Sequence, residues 1–386
     1  MNKDFLFFHK PFISEEEVNE IVDTVRSGWL SMGPKTIRFE EAFNSYIGCK
    51  KSIAVSSWTA AGHLTLEAYG IRPGDEVIVP TMTFPATAEI VCYFAAKPVI
   101  VDVDEDTLNI SLKEIERAIT PKTKAIIPVH YGGQPCDMDE IHDIANKHNI
   151  KVIEDAAHSL PATYKGKKVG TISDVTCFSF YATKTLSTGE GGMICTNDEE
   201  IAERCSIMRL HGINRDAWKR YTESGSWYYE VVAPGYKYNF TDLQASLGLP
   251  QLKKVDLMWQ SRRDIAARYT QALKDNEFLT LHTVKGDRES SWHLFPIRLK
   301  LERLKINRAQ LIDEMRKLNI GAGVHFMPVH QHVYYTQTYK LDDKDYPVAS
   351  SVFPKLVSLP IYPGMKEEHV DRVINVLVDL LTKYKK

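Results

Sequence analysis

Apolar positions along this chain follow two alternating rhythms. Short, nearly continuous apolar runs occupy 52–55, 76–80, 98–103, 124–130, 151–154, 174–180 and 192–196. Runs of that length, bounded by polar turns, predict strands covered on both faces. Between them, segments near 59–69, 85–95, 111–119, 137–148 and 198–210 carry the helical period. Alternation of this kind predicts an α/β fold with a largely parallel, buried sheet flanked by helices. Two helices precede the first run. Ser14-Glu15-Glu16-Glu17 is a capping box that opens one, and Val18, Ile21, Val22 and Val25 predict its apolar face before Gly28 ends it. Phe39, Ala42, Phe43 and Tyr46 mark the other, after a loop at 29–35.

Beyond residue 241 the helical pattern returns with Pro250 inside it, which predicts a kink or break. It resumes through Val255, Met258, Ile265, Tyr269 and Leu273, long enough to bridge two domains. Residues 292–299 then alternate like an antiparallel strand. A last helix from about 367 to 384 shows one apolar face through Val370, Val373, Ile374, Leu377, Leu380 and Leu381. The expected division is a large domain over 1–255 and a smaller α+β domain over 256–386.

Composition narrows the class of protein. The 386 residues are 44% hydrophobic and 25% charged, within the globular range, with a formal net charge of −2. No long basic run suggests nucleic acid or an anionic membrane as a partner. The longest apolar runs are strand-sized, far too short to span a bilayer. The start, MNKDFLFFHKPF, has no sustained apolar core of an export signal, so the cytoplasm is the expected compartment. Six scattered cysteines without CxxC spacing read as buried free thiols and give no metal site.

Two segments carry candidate chemistry. In TCFSFYATKTLSTGEGG, residues 176–192, an apolar run ends at Ser179 and Phe180 and Lys184 follows in a glycine-rich loop. Upstream, Val152-Ile153-Glu154 delivers Asp155 into Ala156-Ala157-His158-Ser159. A lone loop lysine is ordinarily solvated. A lysine after one strand and an aspartate after a neighbouring one, however, is the layout of a pyridoxal phosphate site: the amine joins the cofactor and the carboxylate keeps its ring nitrogen protonated. A carboxylate about 4 Å from a pyridinium, at an effective dielectric near 20, contributes roughly 4 kcal/mol, or about 3 pKa units. Ser56-Ser57-Trp58-Thr59-Ala60-Ala61 opens a helix after the first strand, so its N–H groups face a candidate phosphate, although an ordinary N-cap would look the same. Ser179 is a further hydroxyl for that phosphate, Phe84 a candidate ring clamp, and His158 a neighbour of the ring.

In these segments the chain resembles the DegT/StrS-type nucleotide-sugar aminotransferases, fold-type I pyridoxal phosphate enzymes. The matching stretches are GWLSMGPK (28–35), SSWTAAGH (56–63), GDEVIVPTMTF (74–84), EDAAHS (154–159), FSFYATKTLSTGEGG (178–192), GYKYNFTD (235–242) and GVHF (323–326). Through KTKAIIPVHYGG, APGYKYNFTDL and Trp292-His293-Leu294-Phe295 it is most similar to the members that make UDP-4-amino-4-deoxy-L-arabinose. The resemblance implies transfer of an amino group from L-glutamate, leaving 2-oxoglutarate, to a keto carbon of a nucleotide-linked sugar, expected at C4, with pyridoxamine phosphate as the intermediate cofactor form. It implies that Lys184 is the catalytic lysine and Asp155 the ring-nitrogen partner, with His158 beside the cofactor and Phe84 against the ring. Thr59, Ala60 and Ser179 would hold the phosphate, joined by Asn239 of a second subunit in an obligate homodimer. Trp29, Lys35, Trp58 and His325 fall where relatives approach the sugar nucleotide, and the product would serve surface polysaccharide, lipid A or glycan synthesis.

Three positions depart from the family pattern. Trp58 stands for a small residue, and its indole must either turn from the phosphate or narrow the substrate entrance. Gly62 stands for a larger apolar residue, leaving room for Trp58, and Thr185 for the asparagine that commonly follows the lysine. Other readings are a 3-keto sugar aminotransferase, a pyridoxamine-dependent sugar dehydratase or a non-catalytic regulatory relative. The dehydratases carry histidine at the lysine position, so Lys184 argues against that one.

Overall fold

The computed structural model describes residues 4–214 and 228–386. Residues 1–3, the start of the segment read above for an export signal, lie outside the described residues. Helices α1 (Glu15–Ser27) and α2 (Pro34–Ile47) lead into a seven-stranded sheet. Its strands are β1 (Lys51–Val55), β2 (Glu76–Pro80), β3 (Lys97–Val101), β4 (Thr123–Ile126), β5 (Lys151–Asp155), β8 (Val175–Ser179) and β9 (Gly192–Thr196), in the order β1-β9-β8-β5-β4-β2-β3. Two-residue strands β6 (Thr163–Tyr164) and β7 (Lys167–Lys168) lie outside it. Only β9 runs antiparallel to its neighbours, so β1, β2, β5 and β8 all release the chain at one edge. β2, β8 and β9 are buried at every position, as their unbroken apolar runs predict.

Helices α3 (Trp58–Ala68), α4 (Ala86–Cys92) and α7 (Glu199–Met208) cover one face of the sheet, and α5 (Leu112–Ala118) and α6 (Met138–His148) pack at its far side. Helix α8 (Asp242–Leu273) runs unbroken through Pro250, against the expected break. Its first half packs Ala245, Leu252, Val255 and Met258 with α2 and the large sheet, while Ile265, Ala266, Tyr269 and Leu273 join a second core. That second core surrounds the antiparallel sheet of β10 (Leu279–Leu281), β12 (Phe295–Leu299) and β13 (Leu356–Leu359), covered by α9 (Arg308–Lys317) and α12 (Glu367–Lys383). β11 (Arg288–Glu289) pairs with β6. α10 (Val333–Tyr339) and α11 (Pro347–Val352) return to the first core through Tyr335, Ala349 and Val352. No helix among the described residues is long and apolar enough to cross a membrane.

Helix α1 differs from its sequence pattern. Glu17 accepts from the Ser14 N–H (2.7 Å), the carboxylate half of the capping box, and also from the Ser14 hydroxyl (2.8 Å). Yet Val18, Val22 and Val25 are exposed, and Glu17 and Thr24 are buried instead. On that inward side the Glu17 carboxylate pairs with the Lys254 ammonium of α8.

Candidate active site

The edge where β1, β2, β5 and β8 end is where an α/β sheet binds ligands, because side chains there face a crevice between loops. A cavity of about 510 Å³ opens at this edge and brings together Lys184, Asp155, His158, Ser179, Thr59, Phe84, Trp58 and His325. Ala60, Trp29, Lys35 and Asn239 do not line it.

Asp155 ends β5 at the cavity floor. Its Oδ2 accepts from the Thr87 hydroxyl (2.9 Å) and Oδ1 from the Ala157 N–H (3.1 Å), and Thr87 is steadied by Thr83 (2.7 Å). Burial pushes the carboxyl up to about 6, against the pull of these donors and of the Lys184 charge. A buried carboxylate that favours its own protonation is a strong attractor for a ring N–H⁺. Lys184 follows β8 in a turn closed by its own N–H to the Tyr181 carbonyl (2.9 Å). Burial lowers its amine to about 8; Asp155 opposes the shift and Arg262 adds to it. His158, after Asp155, is held neutral by burial and lies against His293 (centroids 4.4 Å) and Phe326 (5.6 Å, near-parallel). Its Nδ1 is buried with no hydrogen-bond partner among the described residues.

The opposite wall is the start of α3. Ser57 is the N-cap, its hydroxyl accepting from the Ala60 N–H at 3.0 Å. That bond ties the Ala60 N–H to the helix cap. Thr59 and Ser179 do face the cavity, and Ser179 accepts only a long bond from the Tyr181 N–H (3.3 Å). β9 approaches this wall closely: a side chain on Gly192 would place its Cβ 2.4 Å from the Ser57 carbonyl oxygen. Gly192 is thus a packing requirement of the α3 terminus, while a Cβ on Gly191 would meet Thr188 and Phe240 instead.

The rim is aromatic. Phe84 is 60% exposed and meets Phe326 edge-on at 6.0 Å, so it is free to lie against a flat ring. His325 stacks on Phe8 (5.0 Å), and its Nδ1 lies 3.0 Å from the Ser358 hydroxyl.

Three residues expected to approach a substrate are engaged elsewhere in this chain. The Trp58 indole turns down into the core and donates from Nε1 to the Cys177 carbonyl at 3.0 Å, so of the two alternatives it turns from the phosphate. Gly62 leaves it space: a Cβ there would sit 3.4 Å from the indole and only 2.6 Å from Ile90. Lys35 is buried, with its ammonium 2.7 Å from both Glu20 and Asp23 on α1. The Trp29 indole donates to the Met32 carbonyl (3.1 Å). Asn239 bridges to Val55 beside β1, with its amide donating to the Phe240 carbonyl (3.2 Å). Sequence reasoning missed Thr87, His293 and Phe326, which reach the cavity from three separate segments. The dipeptide His325-Phe326 and the Trp292-His293 pair were the available signals.

The donor set fits pyridoxal phosphate: one amine, a buried carboxylate with room beside it, a helix start with hydroxyls and an exposed aromatic face. Comparison with known proteins decides the family. The model of the DegT/DnrJ/EryC1/StrS aminotransferase family matches residues 11–378. The chain belongs to this family. It is 51% identical over 99% of both chains to an uncharacterised protein of Methanocaldococcus jannaschii. It is 46% identical to the spore coat polysaccharide biosynthesis protein SpsC of Bacillus subtilis, covering 98% of this chain and 97% of that one. The solved putative sugar aminotransferase Spr1654 of Streptococcus pneumoniae is similar in its pyridoxal phosphate form (35% identity, TM-score 0.91, covering 98% and 99%). Its pyridoxamine phosphate form gives 36% identity and a TM-score of 0.92, covering 99% and 100%. As a member of the family with this fold-type I architecture, the protein is a pyridoxal phosphate-dependent sugar aminotransferase that uses the pyridoxamine form as its intermediate.

Proposed function

We infer that the protein moves the amino group of L-glutamate to the C4 keto carbon of a nucleotide-linked sugar, with Lys184 as the catalytic residue. The observation that carries this reading is the convergence of Lys184 and Asp155, from adjacent strands β8 and β5, on one cavity whose far wall is a helix start. Pyridoxal phosphate, when bound there, supplies an electron sink for the carbon that loses or gains a proton. Lys184 is the group that moves that proton: its Nζ sits near neutrality and is therefore able both to accept and to return it. Asp155, fixed by Thr87 and Ala157, would hold the ring-nitrogen proton; His158 and Phe84 would lie against the ring, and Thr59 and Ser179 would hold the phosphate.

Asn239 serves the phosphate of a second subunit in a homodimer, a role supported by its position outside its own chain's cavity. The exposed Tyr228, Tyr229, Val231 and Val232, a few positions before it in the chain, offer apolar area for such a contact. Six free cysteines are in keeping with a cytoplasmic reaction. The similarity to a spore coat polysaccharide protein supports a product destined for a surface polysaccharide.

The test is a half-reaction panel. Protein converted to its pyridoxamine form with glutamate is offered UDP-, dTDP- and GDP-linked 4-keto and 3-keto sugars, and products are read by mass spectrometry as the change from ketone to amine. Amination of a 4-keto sugar is the expected result, with Lys184→Ala inactive yet still binding pyridoxamine phosphate. Amination confined to 3-keto sugars, or no bleaching of the visible band by glutamate, overturns the assignment.

A further inference from the structure

Three imidazoles line the cavity, and each presents a nitrogen with no partner among the described residues. His158 and His293 are both buried, with ring centroids 4.4 Å apart, and their Nδ1 atoms are sealed and unbonded among the described residues. His158 also lies near-parallel to Phe326 (5.6 Å), and Phe326 meets His325 edge-on (5.2 Å), so the rings form one row along the wall. His325 pairs Nδ1 with the Ser358 hydroxyl (3.0 Å). In all three rings Nε2 is neither sealed nor bonded among the described residues, which leaves it open to the cavity. The row is held from behind. The Ser291 and Leu294 N–H groups, on either side of His293, donate to the Gly133 (3.0 Å) and Gly132 (3.1 Å) carbonyls, and the Ser291 hydroxyl donates to the His158 carbonyl. The Tyr131 hydroxyl donates to the His325 carbonyl, and Phe8 stacks on the His325 ring at 5.0 Å. Packing alone would be served by phenylalanine, which leaves no buried nitrogen unpaired.

An amino acid donor brings carboxylates into this cavity, and few groups there can receive them. Among the described residues the lining holds no arginine, and its one lysine is Lys184, which the cofactor engages. Asp155 and Glu190 carry the wrong charge, and the Trp58 indole is already bonded to the Cys177 carbonyl. The imidazoles are the remaining side-chain nitrogen donors. We propose that His293 and His325, on either side of His158 and Phe326 in this row, are binding residues for the carboxylates of the amine donor, an inference that rests on the donor being an amino acid. An imidazole N–H to a carboxylate is a charge-assisted hydrogen bond, stronger than one between neutral groups. Neutral donors also suit a cavity that takes a sugar in the other half-reaction. The same Nε2 pairs with a hydroxyl, whereas a buried arginine would lose its counter-ion each time the donor left.

The experiment has a binding arm and a half-reaction arm. In the first, glutarate, a dicarboxylate without an amine, is titrated by calorimetry into the cofactor-loaded full-length chain. His293→Phe and His325→Phe are each expected to weaken it about tenfold or more, the loss of one hydrogen bond to a charged group. His293→Gln, whose amide nitrogen takes the place of Nε2, is expected to bind it within about threefold of wild type. In the second arm, bleaching of the visible band by L-glutamate and by L-alanine is followed against concentration. The Phe variants should raise the half-saturating concentration about tenfold and leave the limiting rate within about threefold, the pattern of lost ground-state binding. A rise for both amino acids assigns that ring to the α-carboxylate, and a rise for glutamate alone assigns it to the side-chain carboxylate; either supports the proposal. Wild-type glutarate affinity in both Phe variants overturns it. So does a fall in which cofactor affinity and limiting rate drop together with glutarate binding, which would mark the rings as packing. Should His293→Phe fail to fold, His325→Phe on the half-buried ring carries the same test. Glutarate binding that depends on these rings, without bleaching by glutamate, sinks the glutamate assignment and leaves this one standing; ring-independent glutarate binding with normal bleaching does the reverse.

Discussion

Burial gives Asp155 a cost that only a bound cation removes. With its carboxyl held at about 6 against an ordinary 3.8, the folded chain binds a proton that the unfolded chain has released between those values. The penalty is absent below pH 3.8, grows as pH rises through that window, and reaches about 3 kcal/mol above pH 6. Asp155→Asn removes the titration while its amide oxygen keeps one acceptor for Thr87 or Ala157. The cofactor-free variant should therefore be about 1–3 kcal/mol more stable than wild type at pH 7.5, and lose the advantage at pH 4, by urea unfolding. It should also bind pyridoxamine phosphate more weakly. A variant less stable at both pH values would show that the carboxylate is fully compensated in the empty site. Trp58 is a residue of the opposite kind, tied to structure rather than to substrate. Trp58→Phe should cost about 0.5–1.5 kcal/mol, since the Cys177 carbonyl loses one donor and keeps the Ala156 N–H (2.9 Å), and Trp58→Ala about 3–5 kcal/mol through the cavity it opens. Both should leave the order of preference among keto sugars unchanged in the half-reaction panel; a reordered preference would restore the role first expected for it.

At the scale of elements, the strands and the helices between them were legible because burial on both faces writes itself as continuous apolar runs. β4 stopped furthest short of its run, at Ile126, since Pro128 lacks the N–H that would continue the ladder. Helix α1 faces otherwise than its pattern predicts: Glu17, paired with Lys254, is buried while three valines are exposed. No local pattern reports a partner 237 positions away, the interval from Glu17 to Lys254. The same limit hid Thr87 and His293, each ordinary in its own segment and assembled only by the sheet edge. Asp242 shows how such long-range bonds fix the loop at 29–35: its carboxylate accepts from the N–H groups of Gly33 (2.9 Å), Lys35 (3.0 Å) and Thr36 (2.8 Å) and from the Thr36 hydroxyl (2.7 Å). It thereby caps α2 from the start of α8. The approach of β9 to α3 is a second case, and a sharper test. Gly192→Ala would drive a methyl into the Ser57 carbonyl and push either β9 or the first turn of α3 out of place. Cofactor affinity should fall at least about tenfold, or about 1.4 kcal/mol, by equilibrium titration. Gly286→Ala, where a Cβ meets nothing within 4 Å, is the matched control. An unchanged affinity in Gly192→Ala would mean that the α3 terminus is not the phosphate wall.

Over the whole molecule, the active site is a seam between two cores, and the seam is lined with imidazoles that burial keeps neutral. His158 and His293 are held well below their ordinary value, and His325 is lowered to about 4 from 6.5. Each is a base whose unfolded form takes up a proton that the folded form refuses. Their contribution is therefore complete above about pH 6.5 and is lost as pH falls toward 4; His325 alone accounts for at most about 3 kcal/mol. Asp155 acts with the opposite sign over nearly the same window, since its penalty lifts on acidification. Three imidazoles outweigh one carboxylate, so the cofactor-free chain should lose stability between pH 6.5 and 4.5 despite the relief at Asp155. Binding of the cofactor changes the balance, because a ring nitrogen that holds Asp155 ionised removes the opposing contribution. The loaded protein should then be more stable at neutral pH and show a steeper fall with acid than the empty one. Urea midpoints at pH 7.5, 6.0 and 5.0, taken with and without cofactor and repeated on His325→Asn, separate these contributions. The asparagine variant should flatten the acid limb in both states by a similar amount; flattening only in the loaded state would place His325 against the cofactor instead of in the seam.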